Sequence, residues 1–169
     1  MIKTTRLILI PATCEMLRAE AGDRAKLSRL LNAFIPESWP PESLRDAIPW
    51  FLEQLEKNPG HECWYFWYVL LAKGDASESV LVASVGFKGA PDENGIVDTG
   101  YSVLDEYQGQ SIATEMVSAI TEWAFSQSGA KMITAQTMED NYASRRVLEK
   151  CKFKVKERQG KRVIFIRSC

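Results

Sequence analysis

The sequence contains few of the residues on which several enzyme classes depend. Its single histidine, His61, follows Pro59-Gly60 in a loop, so a Ser-His or Cys-His hydrolase would rest on that one residue. The four cysteines are far apart and form no Cys-x-x-Cys pair, which argues against a redox motif or a zinc site. We therefore expect free thiols, no bound metal and no histidine-dependent hydrolase.

Net charge and long apolar runs are also scarce. The formal net charge is -1, so the chain has no overall attraction to nucleic acid or to an anionic membrane. The amino terminus lacks the basic stretch and apolar run of a signal peptide, and no segment reaches transmembrane length. These features predict a cytoplasmic protein without nucleic-acid or membrane partners.

The length and composition favour one domain. A chain of 169 residues that is 46% hydrophobic can bury one sizeable core without disulfides or metals. We therefore expect a single domain over residues 1–169.

The first third of the chain predicts a strand followed by helices. Residues 6–10 form a strand-like run stopped by Pro11, and Thr13 can cap a helix that runs toward Leu31. Three prolines within residues 32–41 predict a stiff loop that bears aromatic side chains.

A second helical pattern follows this loop and contains Pro49. Apolar residues recur at helical spacing from Leu44 to Leu55. If Asp46 is the N-cap, Pro49 lies in the first turn, where its missing N–H costs nothing. Otherwise the helix begins near Glu42 and is kinked.

The rest of the chain predicts a meander and then alternating elements. Strand-like runs at 64–73, 80–88 and 96–104 are separated by turn signals at 74–75 and 91–95, which favours an antiparallel meander. The remaining pattern is helical near 113–124, extended at 131–137, helical near 143–148 and a hairpin around 158–161, with strands at 153–156 and 163–167. The five aromatic residues at 64–68 alternate along a strand, and we interpret them as core.

Residues 105–115 form a loop of small residues between a predicted strand and an amphipathic helix. Free N–H groups and partial positive charge at a helix N-terminus can bind a diphosphate, and small residues let it approach the backbone. An ordinary strand-to-helix turn, in which Gly109 supplies flexibility, would give the same local pattern.

Two motifs resemble the GNAT N-acetyltransferase superfamily. The run Gln108-Gly109-Gln110-Ser111-Ile112-Ala113 resembles its signature (Arg/Gln)-x-x-Gly-x-(Gly/Ala), and Asn141-x-x-Ser144 with Leu148-Glu149-Lys150 and Phe153 resembles its downstream helix. Residues 5–9 and the pair Gly100-Tyr101 resemble the branch of ribosomal-protein N-terminal acetyltransferases (the RimJ/RimL type). The resemblance covers essentially the whole chain.

The resemblance implies a fold and an activity. The fold is α/β (α+β), with a mixed, mostly antiparallel sheet of six to seven strands that is splayed at its centre and has helices on both faces. Acetyl-CoA is the implied cosubstrate, with its pantetheine arm between the splayed strands, and no metal is implied. The implied reaction is direct attack of a primary amine on the thioester in a ternary complex.

Site residues follow from the same resemblance. Ser144 becomes the candidate partner of the departing thiolate, because Leu148 stands where many relatives carry Tyr; a purely local role in the helix is the alternative. Asp98 becomes a candidate proton acceptor, directly or through water, or a solvated strand residue. The implied cofactor-binding residues are Val103, Gln108, Gly109, Gln110, Ser111, Ile112, Ala113, Thr114 and Asn141. Asn141 can also cap its helix, and Trp39 and Trp50 are the implied walls of the substrate pocket.

Two residues depart from the family pattern. Ser111 replaces the usual central glycine, which keeps the loop close to phosphate provided that its φ is negative. Cys151 replaces another glycine and would be strained in a left-handed conformation, so we expect that turn to differ.

The acceptor and the activity leave alternatives open. A protein N-terminus, an aminoglycoside-like amine or another small amine would each fit as the acceptor. The protein itself would be a monomer or a homodimer. A catalytically silent acyl-CoA sensor or interaction module is the competing function, suggested by the two departures. A dinucleotide-binding oxidoreductase is disfavoured, because no glycine-rich fingerprint follows the first strand.

Overall fold

The structure, a computed structural model, describes residues 1–73 and 77–169, and this part of the chain contains nine strands and six α-helices. The turn expected at 74–75 lies outside the described residues. The strands are β1 (Ile2–Lys3), β2 (Leu7–Pro11), β3 (Ala33–Phe34), β4 (Phe66–Lys73), β5 (Ser77–Phe87), β6 (Ile96–Val103), β7 (Met132–Met138), β8 (Lys154–Gln159) and β9 (Arg162–Ser168). The helices are α1 (Cys14–Glu20), α2 (Arg24–Leu31), α3 (Glu42–Arg45), α4 (Ile48–Lys57), α5 (Ile112–Ser126) and α6 (Tyr142–Lys150).

The strands form one mixed sheet in the order β1-β2-β4-β5-β6-β7-β9-β8, and β3 pairs with β5. Only the β3–β5 and β6–β7 pairs are parallel within the described residues, so the sheet is mostly antiparallel, as predicted. The expected meander is β4-β5-β6. Seven of the strands are at least five residues long, and the two-residue strands β1 and β3 bring the total to nine.

The sheet opens between β6 and β7. These strands pair from Ile96 with Met132 up to Thr99 with Ala135. Beyond that point β6 continues to Val103 and β7 to Met138 without pairing to each other. The predicted central splay is therefore confirmed.

The core lies on both faces of the sheet. Alternate residues of β4 point to opposite faces, so Trp67 and Val69 pack with α5 and α6, whereas Phe66, Tyr68 and Leu70 pack with α1, α2 and α4. Trp67 and Tyr68 are fully buried, which confirms the core interpretation of the aromatic run.

Three local expectations need correction. The first helix is divided in two, because Asp23 caps a new helix by accepting a hydrogen bond from the Lys26 N–H at 2.8 Å. Thr13 caps α1 as predicted.

Pro49 does lie in the first turn of α4, but Ala47 is the N-cap and Asp46 ends α3. The expected loop at 32–41 also contains β3.

None of the helices in residues 1–73 and 77–169 combines the length and the apolar character needed to cross a membrane.

Candidate active site

A cavity of about 470 Å³ lies where β6 and β7 separate. Its walls come from the end of β6, the loop before α5, the first turn of α5 and one face of α6. All predicted cofactor-binding residues except Gln110 line it: Val103, Gln108, Gly109, Ser111, Ile112, Ala113, Thr114 and Asn141. The Gln110 side chain instead donates to the Glu106 carbonyl at 3.2 Å.

The loop before α5 contains two left-handed residues, Gly109 with φ +73° and Ser111 with φ +63°. The condition of a negative φ at Ser111 is therefore not met. The first backbone hydrogen bond of α5 runs from the Glu115 N–H to the Ser111 carbonyl. The N–H groups of residues 112–114 consequently have no partner within the helix, and these residues face the cavity.

The left-handed conformation of Ser111 predicts a stabilising substitution. A side chain in this region costs roughly 1–2 kcal/mol, and glycine avoids that cost at the expense of chain entropy. We expect Ser111→Gly to raise the free energy of unfolding by about 0.5–1 kcal/mol. Ser118→Gly, in the middle of α5, is the matched control and should lower stability, because glycine is unfavourable in a helix interior. Urea titration measures both; a loss of stability in Ser111→Gly would contradict the argument.

The amino-terminal segment holds this loop in place. Glu115 accepts hydrogen bonds from the Thr4 hydroxyl at 2.6 Å and from the Arg6 backbone and guanidinium at 3.0 and 2.8 Å. The same guanidinium donates to the Gln110 carbonyl at 3.1 Å. Burial raises the pKa of Glu115, but these bonds outweigh it and hold the pKa below its usual value. The positive charge of Arg6 thus compensates the negative charge of the Glu115 carboxylate near the N-terminus of α5.

Two hydroxyl groups meet at the side of the cavity. The Tyr101 Oη from β6 lies 2.7 Å from the Ser144 Oγ, where either hydroxyl can be the donor, and 3.2 Å from the Ser144 carbonyl oxygen, which is its alternative acceptor. Burial raises the pKa of Tyr101 to about 12, against the lowering effect of the Ser144 hydrogen bond. Tyr101 therefore remains protonated at neutral pH and can act as a hydrogen-bond donor. Asn141 caps α6 by accepting from the Ser144 N–H at 3.0 Å.

The turn after α6 differs from a glycine turn, as expected. Cys151 has φ -82°, and the left-handed residue is Lys152 with φ +64°. The N–H groups of Lys152 and Phe153 donate to the carbonyls of Glu149 and Leu148, which is the Schellman arrangement. Cys151 is buried, its thiol donates to the Thr114 carbonyl at 3.4 Å, and burial raises its pKa to about 11. The cysteine thereby joins α6 to α5.

Two basic residues of α6, Arg146 and Lys150, also line the cavity. We did not predict a role for them from the sequence. The sequence feature that could have identified them is their i, i+4 spacing, which places both on one face of the helix. They add positive charge near the free N–H groups of α5.

The backbone of Val103 faces the gap between the splayed strands. The Leu104 N–H donates to the Val82 carbonyl of β5 at 3.0 Å, and backbone groups alternate in direction along an antiparallel strand. The polar groups of Val103 therefore point away from β5. Its carbonyl accepts from the Gln108 side chain at 3.2 Å, so its N–H is the group directed to the gap.

A second cavity, of about 270 Å³, lies on the other side of β6. It shares Tyr101 and Ser102 with the larger cavity. Leu44 and Phe51, from α3 and α4, form part of its wall. The two cavities therefore meet at the end of β6.

Three predicted site residues lie outside both cavities. Asp98 accepts from the Thr134 hydroxyl at 3.0 Å and is ion-paired with Lys88. Trp39 is buried, because its ring packs near Tyr68 and its indole N–H donates to Glu20 at 2.6 Å. The interpretation of Trp39 as a pocket wall is thus corrected to core. Trp50 is 39% exposed and packs against Phe51, which does line the smaller cavity.

The comparison with family models decides what this arrangement is. Residues 6–154 match the model described as an acetyltransferase (GNAT) domain. The chain belongs to the GNAT acetyltransferase family. The predicted family, its acyltransferase activity and acetyl-CoA as its cosubstrate are therefore confirmed.

Known relatives and solved structures agree with the GNAT assignment. The chain is 30% identical to the uncharacterized N-acetyltransferase YjdG of Bacillus subtilis (strain 168), over 90% of this chain and 89% of the relative. The fold is similar to that of a ribosomal-protein-S5-alanine acetyltransferase from Vibrio fischeri (TM-score 0.67, 17% identity, 99% and 95% of the two chains). It is also similar to the microcin C7 self-immunity acetyltransferase MccE, solved with acetyl-CoA and AMP (TM-score 0.63, 15% identity, 98% and 94%).

The described part of this GNAT chain contains no group of three or more His, Cys, Asp and Glu side chains that could hold a metal ion.

Proposed function

We propose that acetyl-CoA occupies the larger cavity and that its acetyl group is transferred to a primary amine. The observation that carries this proposal is the combination of the open sheet, the unpaired N–H groups at the start of α5 and the basic face of α6. A pyrophosphate would bind to the N–H groups of residues 112–114 and to Arg146 and Lys150. The pantetheine arm would lie along Val103 in the gap, with the thioester near Ser144.

The reaction we propose is direct acyl transfer. Alkylammonium groups have pKa values near 10, so the acceptor must first lose a proton. The amine nitrogen then attacks the thioester carbon, a C–N bond forms, the C–S bond breaks, and the departing thiolate receives a proton. The attacking nitrogen, which carries a positive charge once the C–N bond has formed, loses a second proton to give the neutral amide.

Ser144 is the proposed hydrogen-bond donor to the departing sulfur. When the protonated Tyr101 donates to the Ser144 Oγ, the serine hydrogen is free to point into the cavity. This bond strengthens as negative charge develops on the sulfur, so it favours the transition state over the bound thioester. A serine hydroxyl is too weak an acid to give up its own proton to the thiolate. The proton that the thiolate receives therefore comes from solvent.

Asp98 is proposed to act at a distance rather than as the direct base. Its carboxylate is held by Thr134 and Lys88 and lines neither cavity, whereas Lys88 lines the smaller one. We therefore expect Asp98→Asn to lower kcat/KM for the amine by less than about tenfold, mainly through KM. A direct base would cost about 100-fold or more, with a loss that shrinks as pH approaches the acceptor pKa. Steady-state kinetics across pH distinguish these two results.

The function itself is tested by thiol release from acetyl-CoA across a panel of amines. The panel contains free amino acids, small apolar amines, polyamines, aminoglycosides and peptides with a free N-terminus. Amine-dependent release of CoA supports the proposal. Acetyl-CoA binding in calorimetry with no release from any amine would instead support a silent acyl-CoA sensor. The cytoplasmic location and the choice between monomer and homodimer stay predictions.

A further inference from the structure

The floor of the smaller cavity consists of small residues paired across two strands. Gly86 of β5 faces Gly100 of β6, and Ser84 faces Ser102. A Cβ atom at Gly86 would lie 1.8 Å from the Tyr65 carbonyl oxygen, so packing requires that glycine. A Cβ atom at Gly100 would meet nothing within 4 Å. The absent side chain of Gly100 therefore leaves open space in the cavity.

The walls of this cavity are apolar. Leu44, Phe51 and Phe66 line it, and the ring centroids of Phe51 and Phe66 are 5.1 Å apart. Its polar side chains are the two serines of the floor, Lys88, and Tyr101, whose hydroxyl is hydrogen-bonded to Ser144. Among the described residues that line it, none is acidic.

The charges beside this cavity compensate one another. Lys88 forms an ion pair with Asp98, and the same carboxylate accepts a hydrogen bond from Thr134. None of the described residues that line the cavity therefore offers a carboxylate to an additional ammonium group. A second or third cationic group of an acceptor would be placed against apolar walls, which is unfavourable without a charged partner.

We infer that this cavity accepts a primary amine that carries one compact apolar group near the nitrogen, and that it discriminates against polyamines and aminoglycosides. The inference rests on the proposed transferase function and identifies the acceptor class at that site. The volume agrees with a small acceptor, since 270 Å³ is just below the usual range of ligand cavities, about 300–1,000 Å³. Both a small apolar amine and a peptide N-terminus with an apolar first residue have this chemistry.

The first experiment compares acceptors at saturating acetyl-CoA. The probes are 2-phenylethylamine, a short peptide that begins with Phe, spermidine and kanamycin. We expect kcat/KM for at least one of the two apolar probes to exceed that for both polycations by about tenfold or more. The apolar probe with the higher kcat/KM shows whether the acceptor is a small apolar amine or a peptide N-terminus. An equal or higher kcat/KM for spermidine or kanamycin would overturn the inference.

The second experiment fills the cavity. Gly100→Leu should lower kcat/KM for the preferred amine by about 100-fold, while calorimetry shows acetyl-CoA affinity within about twofold of the parent. Gly22→Leu is the matched control, since a Cβ there also meets nothing within 4 Å and Gly22 lines neither cavity, so it should leave both values unchanged. Parent-like kinetics in a folded Gly100→Leu enzyme would contradict the assignment.

A third variant changes the chemistry of the wall instead of its shape. Phe51→Glu supplies the missing carboxylate and should shift the preference toward spermidine by about tenfold relative to the apolar probes. An unchanged preference would count against the inference.

Amine binding to the CoA complex, measured by calorimetry, separates the two proposals. If no amine releases thiol, the transferase function fails. Amine binding that Gly100→Leu abolishes would still support the cavity as the acceptor site, and amine binding that is indifferent to this change would overturn it.

Discussion

Reversing the charge of Arg146 and Lys150 should raise the Kd for acetyl-CoA by about 100-fold or more. Both residues line the larger cavity and lie on one face of α6, opposite the unpaired N–H groups of α5. A hydrogen bond to a charged group contributes about 1.5–3 kcal/mol, and a factor of 10 in Kd corresponds to about 1.4 kcal/mol. The double variant Arg146→Glu/Lys150→Glu loses two such contacts and adds repulsion.

The matched control changes the same total charge elsewhere. Lys154 and Lys156 are exposed on β8 and line neither cavity, so Lys154→Glu/Lys156→Glu should leave the Kd within about twofold. Titration calorimetry at two salt concentrations also separates the cases, because the parent affinity should fall with salt and that of the charge-reversed α6 variant should fall less. Equal Kd values for the two double variants would remove α6 from the phosphate site.

Removing the Ser144 hydroxyl should lower kcat by about 100-fold, with a much smaller change in KM for acetyl-CoA. The hydrogen bond from this hydroxyl to sulfur is proposed to strengthen as the C–S bond breaks, so its loss affects the transition state more than the bound thioester. Tyr101→Phe should have a smaller effect of about tenfold, because it removes only the group that orients the Ser144 hydroxyl.

The pair should not behave additively. Tyr101 acts through Ser144, so the double variant should resemble Ser144→Ala alone. Ser126→Ala is the control, because that hydroxyl donates to the Trp123 carbonyl away from the cavity. Full kcat in Ser144→Ala would exclude the hydroxyl from the reaction, and strictly additive losses would place Tyr101 in direct contact with the substrate.

The larger cavity could be predicted in advance because its determinants are local in sequence. A loop of small residues ahead of a helix exposes backbone N–H groups wherever it occurs, and an Asn three residues before a Ser caps a helix by the same local geometry. Most of the predicted cofactor-binding residues consequently line one cavity. The place of Val103 beside the gap was implied by the family resemblance, and backbone alternation along β6, which is also a local property, explains it.

The contacts that complete the site are not local. Tyr101 meets Ser144 across 43 positions, and Arg6 reaches Glu115 across 109, so both pairs depend on how β2, β6, α5 and α6 pack. The pairing of Asp98 with Lys88 depends in the same way on the register of β5 and β6. Sequence spacing alone suggests a free carboxylate at Asp98, because it does not reveal the cation of Lys88 directly after the neighbouring strand β5.

Local polar details explain the remaining differences. Trp39 was placed in a pocket on the basis of its segment, but a carboxylate at Glu20 accepts from its indole and allows it to be buried. The predicted long helix contained Gly22 and Asp23, and the Asp cap ended the pattern of apolar spacing that suggested continuity. At Ser111, the packing of the loop imposes a positive φ that no pattern of residue types reveals.

A crystal structure of the complex with CoA tests the central claim most directly. The account predicts CoA in the cavity between β6 and β7, with its pyrophosphate within hydrogen-bonding distance of the N–H groups of residues 112–114 and its sulfur beside the Ser144 Oγ. A pyrophosphate bound away from the first turn of α5, or a sulfur out of reach of Ser144, would contradict it.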